Sequence, residues 1–454
     1  VYRPPKNVDF VDPNGIRVFL KCQFTVPNNA GTRQLYAHEG FFAPICGIGI
    51  NCFREITLQL DGIDVGGTRT TEPNIQNYLR SLFQEGPYPS DLFHNQSTRE
   101  SYLEGIVYST PGSHNTMAVD TQYGHRLTVT SHHNYPPTEE PRSGLRIAAN
   151  GDALSGAAYI DAGAVMRREY VDRFQSANRA VEYISTLRLG PFSNINISHN
   201  YMAGTSSFNY EFETHPSSGY VINAHTTTFP IDGRNVASNT IQFGINDMHI
   251  LFPIRTLSEK MTEYLNSALH TQGKRQMYVG IDTRTGSEVM LPGIRVWTSQ
   301  PITNYAQPQK VCIAMQPNIA AQNMQEYARD PFEFNPIAAI EQIRVLVNGK
   351  DCIEPIQNNT QAWRQTVTCM GYEKGAPIGC EQFPAGYFCI WVDTSTDKLE
   401  NTYMLQKSAN GSVQIEIKFA TVPVDHQRIY TMAQRTNVWE FAALKGLETV
   451  VGPL

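Results

Sequence analysis

Short alternating runs of apolar and polar residues dominate the chain. The run Ile16-Arg17-Val18-Phe19-Leu20-Lys21-Cys22-Gln23-Phe24-Thr25-Val26 alternates for much of its length and ends at Pro27-Asn28-Asn29. Residues 55–60 alternate cleanly into Asp61-Gly62, and residues 207–212, 343–347 and 413–419 repeat the pattern. A period of two sets one row of side chains on a core and the other outside. Many such strands, punctuated by Gly, Pro and Asn, predict β-sandwiches or barrels. Helical spacing is rare. Residues 73–83 bring Ile75, Tyr78, Leu79 and Leu82 to one face, with Pro73 at the start, where a helix tolerates it. Residues 257–269 do the same with Leu257, Met261, Tyr264, Leu265 and Ala268, Ser258 serving as a cap, and residues 359–370 form a third, weaker candidate.

Two larger features organise these strands. Residues 109–156 are rich in Gly, Ser, Pro, Asn and His and read as a long surface excursion. The segment Glu55-Ile56-Thr57-Leu58-Gln59-Leu60-Asp61-Gly62-Ile63-Asp64 is echoed by Gln342-Ile343-Arg344-Val345-Leu346-Val347-Asn348-Gly349-Lys350-Asp351. Each runs a strand into a hairpin turn, then meets Glu-Pro (Glu72-Pro73, Glu354-Pro355) and a candidate helix. A duplicated β-unit explains the echo, and so does common hairpin grammar. With 454 residues and domains of about 100–250, two large β-domains are expected. The Thr-, Gly- and Asn-rich residues 223–239 are the expected seam, giving domains 1–230 and 231–454.

Composition narrows the function. Hydrophobic residues make up 41% and charged residues 17%, the latter well below the roughly 25% of ordinary soluble domains. An uncharged, hydrogen-bonding surface suits large permanent contacts between subunits. The net charge is −6, and no basic tract exceeds Arg167-Arg168 or Lys274-Arg275, so no nucleic-acid-neutralising arm or direct sequence-specific nucleic-acid binding is expected. No apolar run reaches about 18 residues, so no membrane span is expected. Val1-Tyr2-Arg3-Pro4-Pro5 does not read as a secretory signal, and a removed leader stays open because the sequence begins without Met. The eight cysteines, at 22, 46, 52, 312, 352, 369, 380 and 389, form no Cys-x-x-Cys pair and sit among apolar neighbours. Buried free thiols are the first reading, with disulfides the minor alternative; zinc would want ligand pairs at closer spacing.

The search for reactive chemistry is brief. There is no phosphate-binding Gly-x-x-x-x-Gly-Lys-Ser/Thr loop. His114, His125, His132 and His133 lie in the polar excursion without a His-Glu-x-x-His frame and read as solvated. Ser395-Thr396-Asp397-Lys398 fits Ser-x-x-Lys only formally, with no companion motif. Asn95, Asn196 and Asn358 begin glycosylation triplets that carry little weight without a secretory signal. No catalytic, cofactor-binding or metal residue is assigned. Among the aromatics Phe41, Phe42, Tyr123, Tyr135, Tyr305, Trp363 and Trp439, the excursion residues Tyr123 and Tyr135 are the better candidates for contacts with a neighbouring subunit, and Trp439 for a core position.

The order of motifs resembles the hexon-like major capsid proteins of adintoviruses and Polinton (Maverick) elements, in the lineage of adenovirus hexon and virophage capsid proteins. The residues that carry the likeness are Phe53 to Gly62, the helix with Tyr78-Leu79-Arg80-Ser81-Leu82-Phe83, Asp161-Ala162-Gly163 with Arg167-Arg168 and Tyr170, and Gly190-Pro191-Phe192. Asp330-Pro331-Phe332-Glu333-Phe334, Pro384-Ala385-Gly386-Tyr387, residues 411–420, and the closing Ile429-Tyr430-Thr431 to Phe441 continue it. Residues 234–290 depart from the pattern, and Asp stands for Asn at 61 and 330. The resemblance implies an all-β fold of two tandem jelly-roll β-sandwiches (a double jelly roll) with short helices and long loop insertions. It further implies a non-enzymatic homotrimer that tiles an icosahedral virion shell against neighbouring capsomers, vertex penton and minor capsid proteins. A secreted carbohydrate-binding or carbohydrate-active β-sandwich is the alternative; it predicts a monomer with disulfides and a groove.

Overall fold

The computed structural model describes residues 9–12, 16–28, 31–34, 42–44, 48–60, 63–64, 70–71, 75–76, 79, 105–108, 158–161, 171, 180–186, 202–203, 207–214, 221–223, 228–231, 234–237, 241–267, 276–302, 307–317, 334, 336, 338–371, 380, 383–384, 387–395, 411–442 and 446–449. The first half contributes β1 (Arg17–Asn28), a one-turn helix α1 (Ile48–Asn51), β2 (Phe53–Leu60), β3 (Ile63–Asp64), β4 (Val181–Thr186), β5 (Phe208–Thr214) and β6 (Gln242–Leu251). Helix α2 (Glu259–Asn266) follows. The second half holds β7 (Gln276–Met290), β8 (Val296–Thr298), β9 (Lys310–Pro317), β10 (Ile340–Val347), β11 (Lys350–Asp351), helix α3 (Asn359–Met370), β12 (Cys389–Asp393), β13 (Val413–Phe419) and β14 (Gln427–Ala442).

Pairing repeats between the halves. In the first, β1 lies between β4 and β6, and β2 lies between β3 and β5. In the second, β9 lies between β12 and β14, and β10 between β11 and β13. Six strands thus correspond in chain order and in neighbours, all antiparallel. The sequence echo is topological: it covers β2–β3 and β10–β11, the same hairpin of each unit. The second unit adds β7 on the outer edge of β14 and β8 on that of β13, giving sheets ordered β7-β14-β9-β12 and β8-β13-β10-β11. Two sheets so connected make a jelly-roll sandwich.

The alternating runs fold as their pattern predicts. In β13, Val413, Ile415, Ile417 and Phe419 are fully buried while Gln414, Glu416 and Lys418 are half-buried on the other side. In β1, Val18, Leu20, Cys22, Phe24 and Val26 form the buried row. The β10–β11 turn places Asn348 at φ 52° and Gly349 at φ 77°, the doubly left-handed turn that favours Asn-Gly. Helix α3 fills its predicted span. Asn358 caps it by accepting the Gln361 N–H at 2.9 Å, Gln361 Oε1 accepts the Gln357 N–H at 2.7 Å, and Gly371 ends it at φ 73°.

Other expectations meet differences. Of residues 73–83, Ile75, Gln76 and Leu79 are described; all are helical and buried, as the proposed apolar face requires for Ile75 and Leu79. Helix α2 forms with Ser258 at its N-cap, but the Ser258 side chain makes no capping bond. Met261 and Tyr264, expected on its buried face, are 50% and 59% exposed. β6 begins beyond residue 230, yet pairs with β1, and Ile254–Thr256 pairs with Asp9–Val11. The ends of the excursion are tied together by Gly105–Tyr108 against Ala158–Asp161; residues 109–156 lie outside the described residues.

Candidate functional site

Among the described residues, the most continuously buried part is the sheet around β9, β12 and β14. Residues 311–316 are all buried, as are residues 389–392 and 429–435, so this sheet is covered on both faces. One cover is α3, which buries Ala362, Thr366 and Cys369. The Thr366 hydroxyl donates to Ala362 O at 2.9 Å and accepts the Trp391 N–H at 3.1 Å; Cys389 O lies 3.4 Å away. A helical side chain thereby satisfies backbone of β12, the edge strand, and closes an edge that would otherwise invite further pairing. Phe334 adds to the cover: its ring meets Tyr430 edge-on at 5.9 Å, and its carbonyl accepts the Phe388 N–H at 3.0 Å.

Cysteines line these layers. Cys312, Cys369 and Cys389 are buried in the second roll, Cys22 and Cys52 in the first, and all seven described cysteines are free thiols. Burial pushes the thiols of Cys312 and Cys389 well up; Cys389 and then Cys369 push Cys312 further the same way. Burial does the same to Cys22, with Cys52 adding to it. Such thiols stay protonated and pack as small apolar groups; they are poor nucleophiles and metal ligands. Among the described residues no group of three His, Cys, Asp or Glu is placed to hold a metal.

The outer side of β10 and β13 carries an ionic ladder. Arg344 grips Asp351 through two bonds of 2.9 Å and reaches Glu416 at 3.4 Å, which holds its guanidinium above its ordinary range, Asp351 contributing most. Glu341 accepts from Lys418 and, at 3.2 Å, from Arg295, and its carboxyl is lowered, chiefly by the Lys418 bond. Asp351 is likewise lowered by Arg344. These groups lie half-buried at the surface, where such pairs add little stability.

A second surface is apolar. The β7–β8 turn and the β13–β14 turn are joined by Gly293 N–H to Pro423 O at 2.9 Å and Phe419 N–H to Arg295 O at 2.9 Å. Gly293 sits at φ 85°, where a side chain would be strained. Leu291 is 56% and Val424 84% exposed there, with Val289, Val296 and Val422 also exposed. Sequence reasoning missed this rim; Leu291-Pro292-Gly293 and Val422-Pro423-Val424 were the available signals, apolar residues on turn chemistry.

The residues singled out in the sequence are dispersed. Tyr123, Tyr135, Tyr305 and the four excursion histidines lie outside the described residues. Trp363 is half-buried on α3, and Trp439 falls on β14 opposite Tyr278 and Thr449. Ser395 is buried, its hydroxyl and N–H both donated to Asp393 Oδ1. Asn358, first of a glycosylation triplet, spends its side-chain carbonyl on the α3 cap.

Strand order and duplicated connectivity define the class: this is a double jelly roll, the fold of viral major capsid proteins. A chain of the Sputnik virophage in its 3.5 Å cryo-EM structure superposes with a TM-score of 0.55 over 99% of this chain and 84% of that one, at 12% identity. The Faustovirus major capsid protein does so with a TM-score of 0.52 over 96% and 86%, at 10% identity. No protein-family model and no curated protein matches the chain. At such identities the fold is what is shared.

Proposed function

We propose that this chain is the major capsid protein of a double-stranded DNA virus, acting as a structural wall tile with no reaction of its own. The observation that carries the reading is the double-jelly-roll fold spanning nearly the whole chain, in common with the Faustovirus major capsid protein. Two similar rolls per chain give six per trimer, so a closed cyclic trimer presents a pseudo-hexagonal outline that tiles a shell. The partners in this reading are two further copies, neighbouring capsomers, and vertex and minor capsid proteins; the place is the virion. We set the seam between rolls at residues 257–275, because β6 and Ile254–Thr256 pair with first-roll strands and β7 pairs with a second-roll strand.

The excursion of residues 109–156 is assigned to contacts between chains of the trimer, with Tyr123 and Tyr135 as its anchors. Light scattering coupled to size-exclusion chromatography tests the reading. The purified chain should elute at three times 50.9 kDa, and the double variant Tyr123→Ala, Tyr135→Ala should shift it toward the monomer. A monodisperse monomer across micromolar concentrations would refute the tile. No specific observation favours the carbohydrate-active alternative.

A further inference from the structure

The matched hairpins of the two rolls differ at their turns. The β2–β3 turn is Asp61-Gly62, and the β10–β11 turn is Asn348-Gly349. Leu60 pairs with Ile63 and Val347 with Lys350, so only those residues lie between the strands. An amide side chain followed by glycine carries a chemistry of its own. The next backbone nitrogen is a nucleophile, and Gly349 has no side chain to hinder its approach to the Asn348 amide carbon. Nothing lies within 4 Å of the place where a Cβ of Gly349 would stand, and both residues are exposed.

The fold restrains this reaction. Asn348 N–H donates to Ser412 O at 2.9 Å, and Asn348 Oδ1 accepts the Ser412 N–H at 3.0 Å. The amide lies over Gly411, where an added Cβ would meet Nδ2 at 3.1 Å and Oδ1 at 3.2 Å. With φ 52° at Asn348 and 77° at Gly349 the turn is of type I′. Its ψ of about +30° at the first position turns the following nitrogen away from the side chain. Arg344, bonded to Asp351 on β11 and Glu416 on β13, spans the same corner. Ring closure therefore waits on opening of the turn.

We infer that Asn348 is a site of spontaneous modification to aspartate and isoaspartate, latched by its bonds to Ser412. In the opened turn the Gly349 nitrogen gives its proton to hydroxide and attacks Asn348 Cγ. The Cγ–Nδ2 bond breaks, Nδ2 takes a proton and leaves as ammonia, and a cyclic imide remains. Water then adds to one imide carbonyl and breaks its bond to nitrogen. Attack at the side-chain carbonyl gives isoaspartate's alternative only when the ring reopens there, leaving aspartate on the original main chain; attack at the main-chain carbonyl gives isoaspartate. The products differ in consequence. Aspartate suits this hairpin, since Asp61 holds the equivalent position in the first roll. Isoaspartate routes the main chain through the side-chain carbon, which lengthens the turn and spoils the register of Val347 opposite Lys350. The inference rests on this turn and not on the capsid reading.

Timed incubation of the full chain at mildly alkaline pH tests it, followed by digestion and mass spectrometry with electron-transfer fragmentation to tell the two acids apart. A synthetic peptide of residues 343–353 is the reference. The full chain should convert at Asn348 about tenfold or more slower than the peptide, because only the opened turn reacts. Gly411→Ala crowds the amide off the Ser412 N–H and should speed conversion about two- to tenfold, the worth of one hydrogen bond. Arg344→Gln should speed it about twofold. Asn348→Asp should keep the thermal midpoint, so that any fall in the aged chain follows its isoaspartate fraction. Three results would overturn the inference. The full chain could convert as fast as the peptide, which removes the latch. Conversion could be slow and unchanged by Gly411→Ala, which takes the latch away from Ser412. Or Gly411→Ala could hold no acid at position 348 long after the peptide has fully converted, which removes the site.

Discussion

In the second roll β14 runs between β7 and β9, and every side chain from Ile429 to Arg435 is buried; in the first roll β6 has β1 on one side, and its residues alternate between exposed and half-buried. The same contrast separates β9 from β1. Residues 311–316 are buried on both faces, whereas β1 buries only the row from Val18 to Val26. Identical connectivity therefore does not impose identical burial. Among the described residues α3, Phe334 and β7 enclose the second roll's sheet, and a strand covered on both sides reads as a continuous apolar run such as Val311-Cys312-Ile313-Ala314-Met315. Among the described residues, the second roll's central strands are buried on both faces and the first roll's on one.

The sharpest way to break that contrast is to truncate an aromatic in each roll. Trp391→Ala removes a fully buried indole from β12 and should cost about 3–5 kcal/mol in denaturant unfolding of the second roll. Phe243→Ala, at a half-buried position of β6, should cost about 1–2 kcal/mol. Equal losses would mean that the first roll is as enclosed as the second. Next comes the edge clamp. Thr366→Val keeps the shape but leaves the Trp391 N–H without its acceptor, a loss of about 1–3 kcal/mol, whereas Thr366→Ser should lose under about 1 kcal/mol. If the two variants unfold alike, the hydroxyl is not what closes β12.

Asn358→Ala should cost about 1 kcal/mol by uncapping α3, visible as faster amide exchange in its first turn. The ionic ladder should matter least. The carboxyls of Asp351 and Glu341 are depressed in the folded chain, so their contribution is present above the ordinary carboxylate range and is lost as pH falls through the depressed values. Arg344→Gln should therefore lower the thermal midpoint slightly at pH 7, less in high salt, and lose most of that effect once Asp351 is protonated. A larger effect at low pH would reverse the sign of this account.

Much of the second roll was legible in the sequence because its rules are local. Period-two alternation located β10 and β13, Asn348-Gly349 located their hairpin's turn, and Asn358 with Gly371 bounded α3. The echo between residues 55–64 and 342–351 pointed to equivalent hairpins before any pairing was known. What stayed illegible was decided at a distance. Nothing near Gln242 says that β6 returns to β1 across more than two hundred residues. Helical spacing put Met261 and Tyr264 on one face of α2 correctly, but spacing does not say whether a neighbour covers that face, and both are exposed. The rim around Val424 escaped notice for the converse reason: apolar residues on a turn look like ordinary strand ends until the fold leaves them in solvent.

The tile account meets its most direct test in cryo-electron microscopy of the purified chain. Threefold particles showing six sandwich densities in a ring, two from each chain, are the predicted result. Isolated two-lobed monomers, with no threefold class at any concentration, would contradict it.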